Sequence, residues 1–535
     1  MSRSEMFRRL GSYIRIAQHC EKTGQPAREA LEALDHLQGR ARMRRRLLAA
    51  LCAGAAASAI PGTLRRSLAA PAVSGSVAVI GAGLAGLSCA YALAGKGVRA
   101  EIFEASERVG GRCFSLHNFF PGQVAERGGE FIDTGHVTMR GFANAFGLTL
   151  EPVTKQPGEV FYHVNGQLYD EAHVVEEFRA FVPRLREDLQ RLTPPTADNY
   201  TEDDRALDFT NLKDYLASRG AGPVIGKVLD VAYNIEYGRQ IEEQSCLNLL
   251  LFIHADRRSK FRPFGVFSDE RFHVIEGNQG IATGLANSLP QGIRFGQRLL
   301  RARKLSDGRV RLAFASGGRT VETEHHAVVF AIPFSILREV ELDASLGLPD
   351  WKRYAIDNYL YGTNSKMMIG FAGRPWYQIH GSNGTSYSDL PNHQNTWETN
   401  PIRATSANAI LTDYSGGTRG ARLNPNKVQS EAAAFLADLD KVYPGAAGFV
   451  TRDKRRQVLV HLENWSRNPL YKGSYTCNAP GYFTTIADNE ARPVGNLFFA
   501  GEHTDSFYSW QGFMEGACLS GLRAATESFG FLRGK

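Results

Sequence analysis

Six residues near position 80 have the types and spacing of a phosphate-binding turn. The hexapeptide GAGLAG at residues 81–86 follows an apolar run, Val77–Ile80, that is typical of a buried strand, and a helical pattern follows it. Gly81 allows a tight turn, Gly83 lets the backbone approach a pyrophosphate, and Gly86 lets the helix pack on the strand. The free N–H groups at the start of that helix favour phosphate. The pattern therefore predicts a dinucleotide site.

An acidic residue lies at the distance that ribose recognition requires. Glu104 directly follows the apolar run 98–103, which predicts a second strand, and lies 18 residues after Gly86. A carboxylate at this place can accept hydrogen bonds from both ribose hydroxyls. The alternative for it is a solvated strand end. Gly111 and Arg112 follow, and they would add backbone donors and a guanidinium to a diphosphate site.

The unit from Gly81 to Arg112 resembles the FAD-binding start of the flavin amine oxidase superfamily, which includes monoamine, polyamine and L-amino acid oxidases. After Glu104 the chain continues to the run RVGGR at residues 108–112, and plain NAD dehydrogenases do not usually share this extension. The resemblance therefore implies FAD, rather than NAD, as the cofactor.

The resemblance covers most of residues 73–530. Residues 125–133 resemble the segment that passes under the flavin, and residues 271–278 resemble the strand and turn that return to the FAD domain. Residues 501–504 and 512–521 resemble the last turn and the last helix of the family. The cofactor-binding residues that these segments imply are Gly81, Gly83, Gly86, Glu104, Gly111, Arg112, Gly129, Glu130, Leu299, Gly501, Glu502 and Met514.

The resemblance also implies catalytic residues, and these are Lys366, Tyr475 and Phe513. Lys366 matches the family lysine that holds a water against the flavin; the alternative is a strand-edge lysine that reaches solvent. Tyr475 and Phe513 match two walls of an aromatic cage, although Phe513 alone also fits core packing. Because the amine must react uncharged, we expect little carboxylate beside the reacting nitrogen. The implied substrate residues are Phe131, Asp133, Trp465 and Trp510.

Three departures from the family pattern bear on chemistry. Ser474 stands where some monoamine oxidases carry a flavin-linked cysteine, which implies non-covalent FAD. Phe131 stands at or beside the carboxylate-binding arginine of snake-venom-type L-amino acid oxidases, which argues against that mode of recognition. Asp133 falls near an acid of polyamine oxidases, but it also fits a helix N-cap. The other candidates for binding a carboxylate are Arg239, Arg262 and Arg271.

The elements that must position these residues belong to an α/β protein of two interleaved domains. The resemblance implies a Rossmann-like FAD-binding domain from residues 73–135, 266–335 and 491–530. A substrate domain with a mixed sheet and helices would then comprise residues 136–265 and 336–490.

Composition excludes several other classes of protein. The 535 residues are 43% hydrophobic and 22% charged, as in ordinary globular proteins. The net charge of +7 is concentrated in arginines before residue 67, so nucleic-acid binding has little support. The seven cysteines show no CxxC spacing and the histidines no ligand spacing, so we expect no disulfide framework and no metal.

The first 70 residues resemble an export leader preceded by an extension. Residues 43–70 contain RRRLL at residues 44–48 and a short Ala-rich apolar run, which resembles a twin-arginine signal and implies a periplasmic or secreted protein. A buried Ala-rich helix in a cytoplasmic protein is the alternative. Residues 1–42 predict short amphipathic helices that could dock a partner. Translation from either Met1 or Met43 fits the pattern.

The resemblance implies an amine oxidase that converts an amine or polyamine to an imine and reduces O2 to H2O2. The first alternative is an L-amino acid oxidase, including one for basic amino acids. A carotenoid- or porphyrinogen-type dehydrogenase is more distant, because it would not need Lys366 or the aromatic pair. A flavin-bearing partner-binding protein is the alternative outside the enzymes. The electron acceptor and the oligomeric state, including a homodimer, stay open.

Overall fold

The computed structural model describes residues 75–153, 157–254, 270–401, 408–505 and 510–534, with residues 17, 20, 21, 26 and 27 before them. The twin-arginine segment 43–70, Arg262 and most of the extension 1–42 lie outside the described residues.

The strands of the described residues, in chain order, are β1 (Val77–Ile80), β2 (Ala100–Phe103), β3 (Ser115–Phe120), β4 (Gln123–Glu126), β5 (Leu150–Pro152), β6 (Glu159–Val164), β7 (Gln167–Tyr169), β8 (Phe272–Val274), β9 (Ile293–Arg294), β10 (Arg298–Lys304), β11 (Val310–Ser316), β12 (Arg319–His325), β13 (Ala327–Phe330), β14 (Glu341–Leu342), β15 (Leu360–Tyr361), β16 (Ser365–Phe371), β17 (Ser382–Leu390), β18 (His393–Glu398), β19 (Ala409–Ser415), β20 (Val460–Asn464), β21 (Thr476–Cys477) and β22 (Leu497–Phe499).

The α-helices follow in the same order. They are α1 (Leu84–Gly95), α2 (Val137–Ala145), α3 (Glu171–Phe181), α4 (Arg186–Arg191), α5 (Glu202–Asp208), α6 (Leu212–Ser218), α7 (Pro223–Tyr237), α8 (Leu247–His254), α9 (Gln279–Asn287), α10 (Phe334–Leu337), α11 (Asp350–Asn358), α12 (Pro375–Gln378), α13 (Gly417–Arg422), α14 (Val428–Val442), α15 (Tyr482–Thr485) and α16 (Met514–Arg533).

A parallel sheet with the strand order β22-β13-β1-β2-β9 carries the glycine turn. The side chains of β1 are buried, which explains the unbroken apolar run Val77–Ile80. Helices α1 and α16 pack together beside it. A Cβ atom on Gly521 would lie 2.1 Å from the Ala85 carbonyl oxygen, so the absence of a side chain there allows the two helices to approach. The sheet therefore fixes the start of α1 and the start of α16 at one site.

A second sheet, with the order β20-β16-β19-β18-β17-β6-β7, is antiparallel except where β17 pairs with β6. Lys366 is the second residue of its buried strand β16, and Tyr414 of β19 is its register partner. Helices α3 and α7 pack against the far strands of this sheet. The sheet thus positions the predicted catalytic lysine at the same cavity that the glycine turn lines.

The α/β fold class is confirmed. The strands of the parallel sheet fall within residues 73–135, 266–335 and 491–530, and those of the seven-stranded sheet fall within 136–265 and 336–490. Two short pairings cross those ranges, β5 with β8 and β14 with β10. These pairings tie the two predicted domains together near their borders.

The few described positions of the N-terminal extension contact the second domain. Ala17, Cys20 and Ala27 are buried in the same apolar cluster as residues of α3 and α7. The backbone N–H of Ala27 donates to Glu176 Oε1 at 2.6 Å. The carboxylate of Glu21 and the guanidinium of Arg186 form an ion pair at 2.8 Å. At these positions the extension packs on its own chain.

Two features are absent from the described residues. No helix in those ranges is long and apolar enough to cross a membrane. Within the same ranges, no group of three or more His, Cys, Asp or Glu side chains is placed to hold a metal ion.

Candidate active site

The three glycines of the turn occupy three different environments. Gly81 has φ of +103°, a conformation that side-chain-bearing residues rarely adopt. A Cβ atom on Gly86 would lie 1.9 Å from the Gly81 carbonyl oxygen, so this position must remain glycine for α1 to begin here. A Cβ atom on Gly83 would meet no atom within 4 Å. Gly83 therefore presents bare backbone to the open cavity that the turn borders.

Two charged side chains near the glycine turn, those of Glu104 and Arg112, are held in place by hydrogen bonds within the protein. Glu104 lines the cavity, and its Oε2 accepts from the backbone N–H of Ala82 at 2.7 Å while Oε1 accepts from Ser106. Arg112 donates to the Ser474 carbonyl at 2.6 Å and to Glu502 Oε1 at 3.0 Å. The elements around the turn thus fix both the acid and the guanidinium that the sequence predicts for cofactor binding.

The cavity has the chemistry that FAD requires. Its lining includes Gly83 and Gly111, Leu299, and Met514 at the start of α16. The N-termini of two helices, α1 and α16, border it, and such ends favour phosphate and carbonyl oxygens. A Cβ atom on Gly129 would lie 2.7 Å from Met514 Sδ, which explains the glycine under this helix. The residues present therefore fit the cofactor.

Lys366 is buried and paired rather than exposed at a strand edge. Its Nζ donates to Glu130 Oε2 at 2.6 Å, to the Gly128 carbonyl at 2.8 Å and to the Glu126 carbonyl at 3.2 Å. The other carboxylate oxygen of Glu130 accepts from Trp397 Nε1 at 3.0 Å. Three acceptors therefore match the three hydrogens of the ammonium. Glu130, predicted as a cofactor residue, is also the buried counterion of the lysine.

Glu126, whose backbone carbonyl accepts from Lys366, also has a buried carboxyl group. Burial raises the pKa of Glu126 to about 7, although hydrogen bonds from Asn278 N–H and the Ser115 hydroxyl and the charge of Lys366 oppose this rise. The expectation of little carboxylate beside the reacting nitrogen stays a prediction; Glu130 lines the cavity as the counterion that the buried ammonium of Lys366 requires.

The part of the cavity wall near Lys366 is aromatic, and Lys366 Nζ lies 5.6 Å from the centre of the Trp397 ring. Tyr475 and Phe513 both line it, as do Phe131, Trp397 and Tyr414. The hydroxyl groups of Tyr475 and Tyr414 are 2.7 Å apart, and Tyr475 also donates to the Ile235 carbonyl. The rings of Trp397 and Tyr414 meet at 5.3 Å, and those of Phe131 and Trp397 at 5.7 Å. The structure thus brings the two predicted aromatic walls to one cavity.

The remaining predicted substrate residues support the wall. Trp465 lines the cavity and donates from Nε1 to the Arg127 carbonyl at 3.0 Å. Trp510 is not among the lining residues; its ring packs on His136 at 4.5 Å and on Phe513 at 5.7 Å. Trp465 and Trp510 therefore hold other residues in place.

Asp133 does not line the cavity and does not cap a helix. The N-cap of α2 is His136, which makes no side-chain capping bond, so the N-cap alternative for Asp133 is wrong. Asp133 Oδ1 accepts from the backbone N–H of Glu270 at 2.7 Å, and its own N–H donates to His136 Nδ1. Burial lowers the pKa of His136 to about 3, so this ring is neutral. Glu270, which is also buried, is instead among the residues that line the cavity.

A buried network supports Glu502 from behind. Glu502 Oε2 accepts from the Thr476 N–H, and the Thr476 hydroxyl bonds to that of Tyr359. Gln511 Nε2 donates to the hydroxyl of Tyr359 at 3.0 Å and to that of Tyr482 at 2.7 Å. Tyr482 in turn donates to Glu490 Oε1 at 3.0 Å, and burial raises the pKa of Glu490 to about 8.

The sequence did not indicate Trp397, Tyr414 or Glu270 as site residues. Tyr414 reaches the cavity because its strand pairs with β16 in register with Lys366. Trp397 lies on the next strand, β18. The signal that could have found them is sheet register, which local spacing does not contain.

The chain matches a known protein family over most of its length. A family model described as "Flavin containing amine oxidoreductase" matches residues 84–527. The chain belongs to this family. It is therefore an FAD-dependent amine oxidoreductase, and the resemblance seen in the sequence is confirmed.

Curated relatives in this family include L-amino-acid oxidases. The L-amino-acid oxidase of Naja atra is 23% identical over 484 residues, which cover 84% of this chain and 87% of the relative. The L-amino-acid oxidase of Siganus canaliculatus is 26% identical over 469 residues and covers 85% of each chain.

Similar solved structures include amine oxidases. Cyclohexylamine oxidase from Brevibacterium oxydans IH-35A superposes with a TM-score of 0.72 at 20% identity and covers 86% of this chain and 99% of its own. Wild-type putrescine oxidase bound to putrescine has a TM-score of 0.69 at 19% identity, with 85% and 99% covered. These likenesses agree with the α/β fold.

Proposed function

We propose that the substrate is an amine or polyamine without an α-carboxylate. The observation that carries this proposal is the pairing of every described cation on the cavity wall. Three arginines line it, and each faces a carboxylate: Arg112 faces Glu502, Arg127 faces Glu463, and Arg298 faces Glu339. The fourth cation, Lys366, is paired with Glu130. A substrate carboxylate would have to displace one of these partners, whereas a neutral amine need not.

The reaction follows from the family chemistry. The carbon–nitrogen bond of the amine is oxidised to an imine, water hydrolyses the imine to a carbonyl compound and an amine or ammonia, and O2 is reduced to H2O2. Bound FAD supplies the acceptor for the hydride equivalent that leaves the carbon. The protein must bind the amine, orient the reacting carbon and exclude water from it.

The aromatic part of the cavity wall suits those tasks. Phe513 precedes the first residue of α16, and its ring is 8% exposed, so the helix start fixes its place on the wall. The Tyr475 ring is fixed by the two hydrogen bonds of its hydroxyl. Aromatic rings held in fixed positions can orient a neutral amine without placing a charged group against it. The ammonium of Lys366, fixed by three acceptors, contributes a positive charge at a constant place.

We also propose that FAD is bound without a covalent link. Ser474 lines the cavity, and its hydroxyl donates to Asn364 Oδ1 at 2.6 Å. Cys113 lines the cavity as well, but burial raises the pKa of its thiol well above the usual range. A thiol that stays protonated is a poor nucleophile.

Oxidation of an L-amino acid is the second candidate, and the names of the curated relatives favour it. Two of the arginines left open by the sequence do not line the cavity. Arg239 donates to the Tyr361 carbonyl and pairs with Glu243. The Arg271 guanidinium lies over the Phe272 ring at 5.3 Å.

One pair of compounds tests the proposal directly. The holoprotein is mixed anaerobically with 2-phenylethylamine or with L-phenylalanine, which differ by a single carboxylate, and flavin bleaching is followed. Cyclohexylamine and putrescine extend the amine series. We expect bleaching by amines and none by L-phenylalanine. The opposite order would establish the amino acid oxidase, and an L-lysine arm checks for a basic amino acid.

The export signal stays a prediction, and we propose it as such for residues 43–70. A twin-arginine pathway requires the arginine pair, so replacing Arg44 and Arg45 by lysine should retain the protein in the cytoplasm. Cell fractionation measures this, and unchanged fractionation would contradict it. Partner docking by residues 1–42 and a homodimer likewise stay predictions.

A further inference from the structure

One corner of the seven-stranded sheet carries a cluster of exposed cations. The chain turns at residues 452–456, and four of these five residues are basic and exposed. They are Arg452, Lys454, Arg455 and Arg456. Within the described ranges, none of these four side chains has a carboxylate oxygen within ion-pair distance. The acid of the turn, Asp453, accepts the backbone N–H groups of Arg455 and Gln457 through Oδ1 and so shapes the turn.

Exposed apolar side chains lie beside this turn. Tyr377 is 46% exposed, Ile379 55% and Phe449 37%. A Cβ atom on Gly373 would lie 3.4 Å from the Phe449 ring and 3.3 Å from Gln378, the residue between Tyr377 and Ile379. Phe449 and the segment 377–379 therefore come together at Gly373. Single exposed apolar residues are ordinary, but a group of them indicates a contact surface.

The two groups share one corner. The carbonyl of Phe449 accepts from Ala372 N–H at 2.7 Å, and Thr451 N–H donates to the Gly370 carbonyl at 2.8 Å. Both contacts are at the Phe371 end of β16, whereas Lys366 is at the other end. With a rise of about 3.4 Å per residue, the corner is roughly 17 Å along the strand from the lysine.

We propose that this corner, which comprises Tyr377, Ile379, Phe449, Arg452, Lys454, Arg455 and Arg456, binds the surface of an anionic phospholipid bilayer. An anionic headgroup layer offers many negative charges to a turn without acidic partners, and the acyl boundary beneath it accepts apolar side chains. A nucleic acid would meet the charges but would leave Ile379 and Phe449 in water.

Sedimentation with vesicles tests this inference. The holoprotein is incubated with vesicles of phosphatidylcholine alone or of phosphatidylcholine mixed with phosphatidylglycerol, at about 0.05 M and about 0.5 M salt. We expect sedimentation only with the mixed vesicles, and much less of it at the higher salt. Absence of binding to the mixed vesicles would overturn the proposal.

Two sets of substitutions separate the contribution of the cations to vesicle binding from that of the apolar side chains. Replacing Lys454, Arg455 and Arg456 by glutamine should weaken vesicle binding by roughly a hundredfold, from a severalfold contribution of each charge. Replacing Ile379 and Phe449 by serine should also weaken binding, and should remove the part that persists at high salt.

A control on another part of the surface comes from the hairpin strand β12. Arg319 is exposed and Val321 is 39% exposed, so Arg319→Gln and Val321→Ser remove one cation and one apolar group elsewhere. All variants should keep their flavin and their amine oxidation. Binding that survives both sets of substitutions would overturn the proposal. Binding to DNA that depends on the cations but not on Ile379 and Phe449 would assign the corner to nucleic acid instead.

Discussion

The buried pair of Lys366 and Glu130 predicts a specific pattern of stability in a double-mutant cycle. The Nζ–Oε2 distance is 2.6 Å, and the two side chains are 7% and 3% exposed. Removing one partner of such a pair leaves an uncompensated buried charge, which costs about 3–5 kcal/mol. Lys366→Met should therefore lower the free energy of unfolding by about that amount. The Trp397 ring, 5.6 Å from Nζ, loses its cation contact as well.

The double variant Lys366→Met/Glu130→Gln should be more stable than Lys366→Met alone. Glutamine is neutral, and its carbonyl oxygen can still accept from Trp397 Nε1, so the stranded charge disappears while one hydrogen bond remains. Groups in direct contact show coupling energies of about 0.5–3 kcal/mol. We therefore expect the second substitution to restore part of the loss, at most about 3 kcal/mol less its own cost. A second substitution that only adds to the loss would refute the buried ion pair.

The assay must separate folding from cofactor binding, because a bound ligand stabilises the folded state. Urea unfolding is followed by circular dichroism at one fixed excess of FAD, and FAD affinity is measured separately by flavin fluorescence. Substrate-driven flavin reduction of Lys366→Met should slow sharply even when FAD is saturating. Wild-type stability together with wild-type reduction would show that the lysine has neither role.

Three further predictions rest on single positions. Gly83→Ala should fold but lose FAD affinity by at least roughly tenfold, because the added Cβ enters the open cavity beside the turn. Gly86→Ala should fail to fold stably, because its Cβ meets the Gly81 carbonyl oxygen. Equal thermal stability of the two variants would contradict this. Acid precipitation should release the flavin into the supernatant, and Ser474→Cys is the comparison; yellow colour in the wild-type pellet would mean a covalent bond. The folded state keeps a proton on Glu490 up to about pH 8 that the unfolded state releases near pH 4.3, so the contribution of Glu490 to stability should fall as pH rises through that window; the free energy of unfolding of Glu490→Gln should therefore fall less steeply with pH than that of the wild type, and equal slopes would contradict this.

The turn at residues 81–86 could be predicted in detail because its constraints are local. The strand, the turn and the helix are consecutive, and the constraint on Gly86 comes from an atom close in sequence, because its Cβ would meet the oxygen of Gly81. The start of α16 at Met514 could be predicted for the same reason. Helix α1 differs from the sequence pattern because it begins at Leu84, inside the glycine turn, and not after it.

The contacts between distant segments could not be predicted from spacing. Lys366 and Glu130 are 236 residues apart, and their contact depends on the packing of one domain against the other. Asp133 illustrates the same limit. Its local sequence fits a helix cap, but its carboxylate accepts from the N–H of Glu270, 137 residues away. Long-range hydrogen bonds overrode the local pattern there.

Under the proposed function, the charges on the cavity wall disfavour a substrate that carries a carboxylate. Each described cation on the wall already has a carboxylate partner, and two buried acids, Glu130 and Glu270, are among the residues that line the same cavity. An α-carboxylate would add a further negative charge near these acids, and like charges in a buried site repel strongly. A neutral amine, which has released its proton to solvent, adds no charge to the site. If L-phenylalanine nevertheless bleached the flavin, a cation outside the described residues, such as Arg262, would have to balance the carboxylate, and Arg262→Met should then remove the amino acid activity while sparing that toward 2-phenylethylamine.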